Sequence, residues 1–139
     1  MGAKTPNAPI PAEVEQVAGE VVDAAFRVHS VLGPGLLESV YEVCLAHELS
    51  KREIVVARQV SLPVIYDGIR LDADLRLDLL VDGRLIIELK TVEQLTPIHS
   101  AQVLTYLKLS GLRLGLLMNF HVPLLKDGIT DSLALRLRP

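Results

Sequence analysis

Apolar residues recur at helical spacing from the start of the ordered pattern: Val14, Val17, Ala18, Val21, Ala25, Val28 and Leu32 fall on one side of a helix that Gly33-Pro34-Gly35 ends. A second helix, from Leu36 to about Arg52, contains no Gly or Pro and lines up Leu37, Tyr41, Cys44, Leu45 and Leu49. The period then changes to two. IVVARQV (54–60) and SLPVIY (61–66) read as strands, with Pro63 marking an edge or a bulge and Asp67-Gly68 a hairpin turn. Ile69, Leu71, Ala73, Leu75, Leu77 and Leu79 then alternate with Arg70, Asp72, Asp74, Arg76 and Asp78, one set to each face. After Asp82-Gly83, LIIELKT (85–91) is apolar enough for a central strand buried on both faces. Thr96-Pro97 opens a third helix over 97–110, which Gly111 closes. LRLGLLMNF (112–120) is a further strand, reached by a crossover that places it parallel to 85–91. A short alternating segment with Leu133, Leu135 and Leu137 against Arg136 and Arg138 completes the string α-α-β-β-β-β-α-β-β, an α/β arrangement around a mixed sheet flanked by helices.

Composition narrows the function classes. The chain has 139 residues, half of them hydrophobic, enough for one domain with a real core. We expect a flexible leader over 1–10 and a single domain over 11–139. Mean hydropathy is high at +0.37, but charged residues break every apolar stretch well before the roughly 18 residues of a membrane span. No membrane association is expected, and the apolar excess is compatible with a homodimer. A net charge of -3 argues against bulk electrostatic capture of nucleic acid, so a phosphate-rich substrate would be gripped locally. The lone Cys44 excludes an internal disulfide, and the absence of a Cys/His cluster argues against structural zinc; a cytoplasmic location is the simplest reading.

Asp78 and, after nine intervening residues, Glu88-Leu89-Lys90 stand out. Glu88 and Lys90 project from the same face of an otherwise apolar strand, where an uncompensated charge costs several kcal/mol (~2–5). Two converging carboxylates supply hard oxygen ligands for Mg²⁺, and a neighbouring lysine can offset charge on a phosphorus centre. For Asp72, Asp74 and Arg76 the wet face of a sheet is explanation enough. Both carboxylates can share a face only in one kind of hairpin. A two-residue Asp82-Gly83 loop would set Asp78 opposite Ile87 and turn Glu88 away, so a three-residue loop or bulge is expected, such as Val81-Asp82-Gly83 with a left-handed Gly83.

Asp-x9-Glu-Leu-Lys on adjacent strands, between N-terminal helices and a helix-strand, resembles the PD-(D/E)XK nuclease superfamily. Gly35-Leu36-Leu37-Glu38-Ser39-Val40-Tyr41 is similar to the motif of its GxxExxY branch. Similar echoes are Asp78-Leu79-Leu80-Val81, Pro97-Ile98-His99, Gln102 with Tyr106, Gly115-Leu116-Leu117 with Asn119-Phe120, and Val122-Pro123-Leu124-Leu125-Lys126-Asp127-Gly128. The resemblance spans about residues 15–130.

The resemblance implies a restriction-endonuclease-like fold and a Mg²⁺ (or Mn²⁺) site built from Asp78, Glu88 and the Leu89 carbonyl, with Lys90 at the scissile phosphate and Glu38 completing the site. Helical spacing from Tyr41 and Leu45 independently puts Glu38 on or beside the buried side of its helix. His99, Gln102 and Tyr106 form one polar stripe on the third helix, and the resemblance assigns them to substrate. His29, His47 and His121 read as structural. The function implied is metal-dependent hydrolysis of nucleic acid, DNA or RNA. The alternative is a catalytically inactive binding or regulatory module of the same fold, as a homodimer, in which Lys90 neutralises the acids through direct ion pairs.

Overall fold

The computed structural model describes residues 9–133, apart from the side chains of 72–74 and 133. The greater part of the expected leader, the end of the last alternating segment (134–139) and the side chains of Asp72, Ala73 and Asp74 lie outside the described residues. Three α-helices, α1 (Ala12–Leu32), α2 (Glu38–Lys51) and α3 (Pro97–Ser110), flank a five-stranded sheet. Its strands are β1 (Val56–Tyr66), β2 (Ile69–Val81), β3 (Leu85–Lys90), β4 (Leu114–Asn119) and β5 (Ile129–Leu133), adjacent in chain order. β3 and β4 are parallel and every other neighbouring pair is antiparallel. The two strands expected over 54–66 are one strand, and Pro63 marks a register shift between Leu62 and Val64.

The alternation of β3 divides the molecule into two layers. Leu85, Ile87 and Leu89 face α1 and α2, packing with Val21, Ala25, Val28, Tyr41, Leu45 and Leu49. Ile86 joins Tyr106 and Leu107 of α3 on the other face. Being central and covered on both sides, β3 is buried from Leu85 to Leu89, as its continuous apolarity predicts. The α3 layer is tight. A Cβ on Gly115 of β4 would lie 2.7 Å from Val103 Cγ1.

β2 departs from the single-face expectation. Leu79 and Val81 belong to the α1/α2 core, whereas Leu75 and Leu77, of the same parity, pack with Leu62 on the α3 side. The ladder between β2 and β3 holds only Leu79↔Ile87, Leu80↔Ile86 and Val81↔Leu85. Beyond it β2 pairs with β1 alone, and a two-stranded ribbon twists more strongly than a wide sheet, so its faces turn over near Asp78. At the tip of this arm Ile69 (59% exposed) and Leu71 (43%) are on the surface and not in the core.

The β2–β3 loop is three residues, Asp82-Gly83-Arg84, closed by the Arg84 amide donating to the Val81 carbonyl at 3.0 Å. Asp82 (φ 54°) and Gly83 (φ 64°) are both left-handed. The loop sits one residue later than the Val81-Asp82-Gly83 example, and this later position is the one that sets Asp78 opposite Glu88, one step past the last ladder pair.

Gly115→Ala should destabilise the fold by about 1–3 kcal/mol, because Val103 must shift in a packed layer. Thermal unfolding checks this, with Gly19→Ala as the reference, since a Cβ there meets nothing within 4 Å.

Candidate active site

The site lies where β2 separates from β3. Two side chains take over from the ladder at that point: the Asp78 amide donates to Glu88 Oε1 at 3.0 Å, and the Leu89 amide donates to Asp78 Oδ2 at 2.8 Å. Each carboxylate thus spends one oxygen on the opposite strand's backbone, which fixes both groups without side-chain freedom. A side-chain interaction with Asp78 also favours the protonated form of Glu88.

Glu88 is buried (3% exposed). Its carboxyl is pushed up to about 8, first by desolvation and then by the charge of Asp78. Asp78 is raised in the same direction, again chiefly by burial, although the Leu89 amide opposes the shift. The negative charges of Glu42 and Glu38 add to it, and Lys90 subtracts. Yet among the described residues Lys90 makes no ion pair within 4 Å with either acid. The lysine lies in the field of the pair without neutralising it.

α2 contributes two acids one helical turn apart, and burial falls on the second. Glu38, expected on or beside the buried side, is exposed, because it is the first residue of the helix and projects at its open end. It still reaches β3: its Oε2 accepts the Thr91 amide at 3.3 Å. The buried acid of α2 is Glu42, 6% exposed, held by Arg58 Nε at 3.0 Å and Gln59 Nε2 at 2.7 Å. Sequence reasoning missed Glu42, Arg58 and Gln59. The available signal was that Glu42 follows Tyr41 and precedes Leu45 on the apolar side of α2.

α3 supplies Tyr106 and Gln102 but not His99. Tyr106 is buried over the acids; desolvation and then the charges of Glu88 and Asp78 raise its hydroxyl, and a hydrogen bond with Gln102 opposes them. The His99 ring is committed to the helix terminus, its Nδ1 accepting the Thr96 amide at 3.0 Å in the manner of a capping-box residue. Two of the three stripe residues therefore face the site and the third caps the helix. Of the histidines read as structural, His29 bonds the Val122 carbonyl at 2.9 Å and His121 lies 3.6 Å from Glu93, while His47 is exposed.

The segment after β3 is clamped as well. Asn119, 2% exposed, accepts the Val92 amide at 3.1 Å and donates to the Val92 carbonyl at 2.9 Å. The Phe120 amide bonds the Lys90 carbonyl at 2.9 Å. Lys90 thus stands on a backbone fixed from two sides.

A divalent cation fits this donor set. Two carboxylates are fixed side by side at a poorly solvated point, and the lysine nearby does not pair with them. Among the described residues no three His, Cys, Asp or Glu side chains are gathered at ligand spacing, so a main-chain oxygen such as that of Leu89 is needed to complete the set.

The model of the PD-(D/E)XK nuclease superfamily matches residues 15–131. No curated protein and no solved structure matches the chain.

A carboxyl raised on folding stabilises the protein below its unfolded value of 4.5, and that contribution is lost as pH rises through about 8. The metal-free melting temperature should therefore fall between pH 5 and pH 8, and Glu88→Gln should flatten that fall. A calorimetric pH series on both proteins measures it.

Proposed function

Because the chain belongs to the PD-(D/E)XK nuclease superfamily, we propose that it is a Mg²⁺- or Mn²⁺-dependent nuclease of the GxxExxY branch that hydrolyses phosphodiester bonds of nucleic acid. The observation that carries this reading is the buried Glu88 facing the half-buried Asp78, each carboxylate fixed by the opposite strand's backbone, with Lys90 pairing with neither acid. A module that used Lys90 to neutralise the acids would have the ammonium within ion-pair distance of them, and no such pair is formed among the described residues.

Asp78, Glu88 and the Leu89 carbonyl would hold the ion, with Glu38 on its solvent side. When bound, a divalent cation polarises the phosphoryl oxygen and acidifies an attacking water. The chain's own residues do the rest. Lys90 places a positive charge at the scissile phosphate, where negative charge grows in the transition state, and positions the water for attack in line with the leaving oxygen. It suits that role because its charge is not already spent on Asp78 or Glu88. Tyr106, oriented by Gln102, presents a hydroxyl donor beside the acids for a phosphate oxygen of the substrate backbone. Burial of Glu88 keeps bulk water from its carboxylate and strengthens the charge interactions around it.

Two outcomes follow for metal and for Lys90. Mg²⁺ or Mn²⁺ should raise the melting temperature of the wild type and, at neutral pH, release a proton from the acid pair, so the calorimetric binding heat should vary with the ionisation heat of the buffer. Lys90→Ala should keep Mn²⁺ affinity while lowering turnover on single- or double-stranded DNA or RNA by on the order of 10²–10³. Asp78→Ala should lose both. Absence of Mg²⁺ stabilisation together with absence of cleavage of any of these polymers contradicts the nuclease reading and leaves the binding module.

A further inference from the structure

Gln59 occupies a conformation that its place in β1 does not explain. Its φ is 53°, in the left-handed region, at a non-glycine residue inside a strand. The other non-glycine residues there are Glu53, just past the end of α2, and Asp67 and Asp82 in hairpin turns, where such values are expected. The register of β1 with β2 is the same on both sides of Gln59, Arg58↔Leu79 and Val60↔Leu77, so no inserted residue accounts for the kink.

What the kink achieves is visible in the side chains. In a regular strand consecutive residues point to opposite faces. Here Arg58 Nε reaches Glu42 Oε2 at 3.0 Å and Gln59 Nε2 reaches Oε1 of the same carboxylate at 2.7 Å. The left-handed residue brings both to one side. From there the Gln59 amide also faces Asp78 Oδ1 at 3.5 Å, the long edge of a hydrogen bond. Asp78 Oδ2 is already held by the Leu89 amide, and Gln59 addresses Oδ1 from the β1 side.

The chemistry of an amide suits this place. Glu42 and Asp78 are like charges, and a primary amide offers two N–H donors with no charge of its own. An Arg or Lys there would discharge Asp78 and compete with a cation, whereas a neutral donor orients the carboxylate and leaves its charge available. We propose that Gln59 is a positioning residue for Asp78: held in a strained strand conformation and anchored on the Arg58–Glu42 ion pair, it aims the Asp78 carboxylate for divalent-cation binding. The inference rests on the metal-dependent reading above and assigns a role outside the residues that reading uses.

The test compares Mn²⁺ affinity by titration calorimetry in the full-length wild type, Gln59→Leu, Gln59→Gly and Asp78→Asn, below the unfolding onset of each protein. Gln59→Leu removes both donors. Gln59→Gly does the same while keeping the left-handed backbone without strain, so it decides the matter if the leucine variant does not fold. The expected result is Mn²⁺ binding about tenfold weaker in both Gln59 variants than in the wild type, the size of effect that follows loss of a group orienting a ligand. A purely structural role would lower the melting temperature and leave the affinity of the folded protein unchanged. Mn²⁺ affinity within twofold of wild type in Gln59→Gly, with binding lost in Asp78→Asn, overturns the positioning role alone. Failure of the wild type to bind Mn²⁺ overturns both this role and the metal-dependent reading.

Discussion

The even register of the β2–β3 hairpin is the constraint on which the site depends. Because the loop contains three residues, Asp78 stands opposite Glu88 and each carboxylate reaches the other strand's backbone. A two-residue turn would have reversed the face of every residue on one strand and separated the acids. The ladder stops one pair short of Asp78, and the amides freed there are taken up by the two carboxylates themselves. The same local geometry therefore ends the strand pairing and fixes the acids, whose charges act on the Tyr106 hydroxyl. A buried acid beside a half-buried one costs stability, and the fold carries that cost at a point where its own backbone hydrogen bonds give way to side chains.

Around this pair the elements divide the labour. β3, buried on both faces, provides a rigid base for Glu88 and, through the Asn119 and Phe120 contacts after it, for Lys90. α2 approaches with Glu38 at its open end and Glu42 in its buried turn, so one helix places one acid in solvent beside β3 and another in the interior against β1. α3 closes the opposite side. No helix is long and apolar enough to cross a membrane among the described residues, and the apolar excess of the composition goes into the two cores and into exposed positions on α1, α2 and the tip of the β1–β2 arm.

Much of this was legible in the chain. The bounds of α3 followed from Thr96-Pro97 and Gly111, and the centrality of β3 from its unbroken apolarity. The hairpin register followed from the requirement that two acids share a face. What was not legible came from tertiary geometry overriding local pattern. The alternation from Ile69 to Leu79 describes one face of an ideal strand, but a strongly twisted ribbon sends its two ends to different surroundings. Helical spacing placed Glu38 near the buried side, yet a first-turn residue projects past the core, and the burial passes to Glu42. His99 has the spacing of a site residue and the position of a cap, and the cap prevailed. Gln59 carries no sequence sign of a left-handed residue, since Asn, Asp and Gly are the types that favour it.

The central claim is the proposal that the Asp78–Glu88 pair takes up a divalent cation while Lys90 pairs with neither acid. Anomalous diffraction from crystals of the protein soaked in Mn²⁺ tests it most directly. The expected result is a single strong peak held by the Asp78 and Glu88 carboxylates and the Leu89 carbonyl, with the Lys90 ammonium not among its ligands. Crystals without a peak at the pair, with the Lys90 ammonium drawn between the two carboxylates, would contradict it.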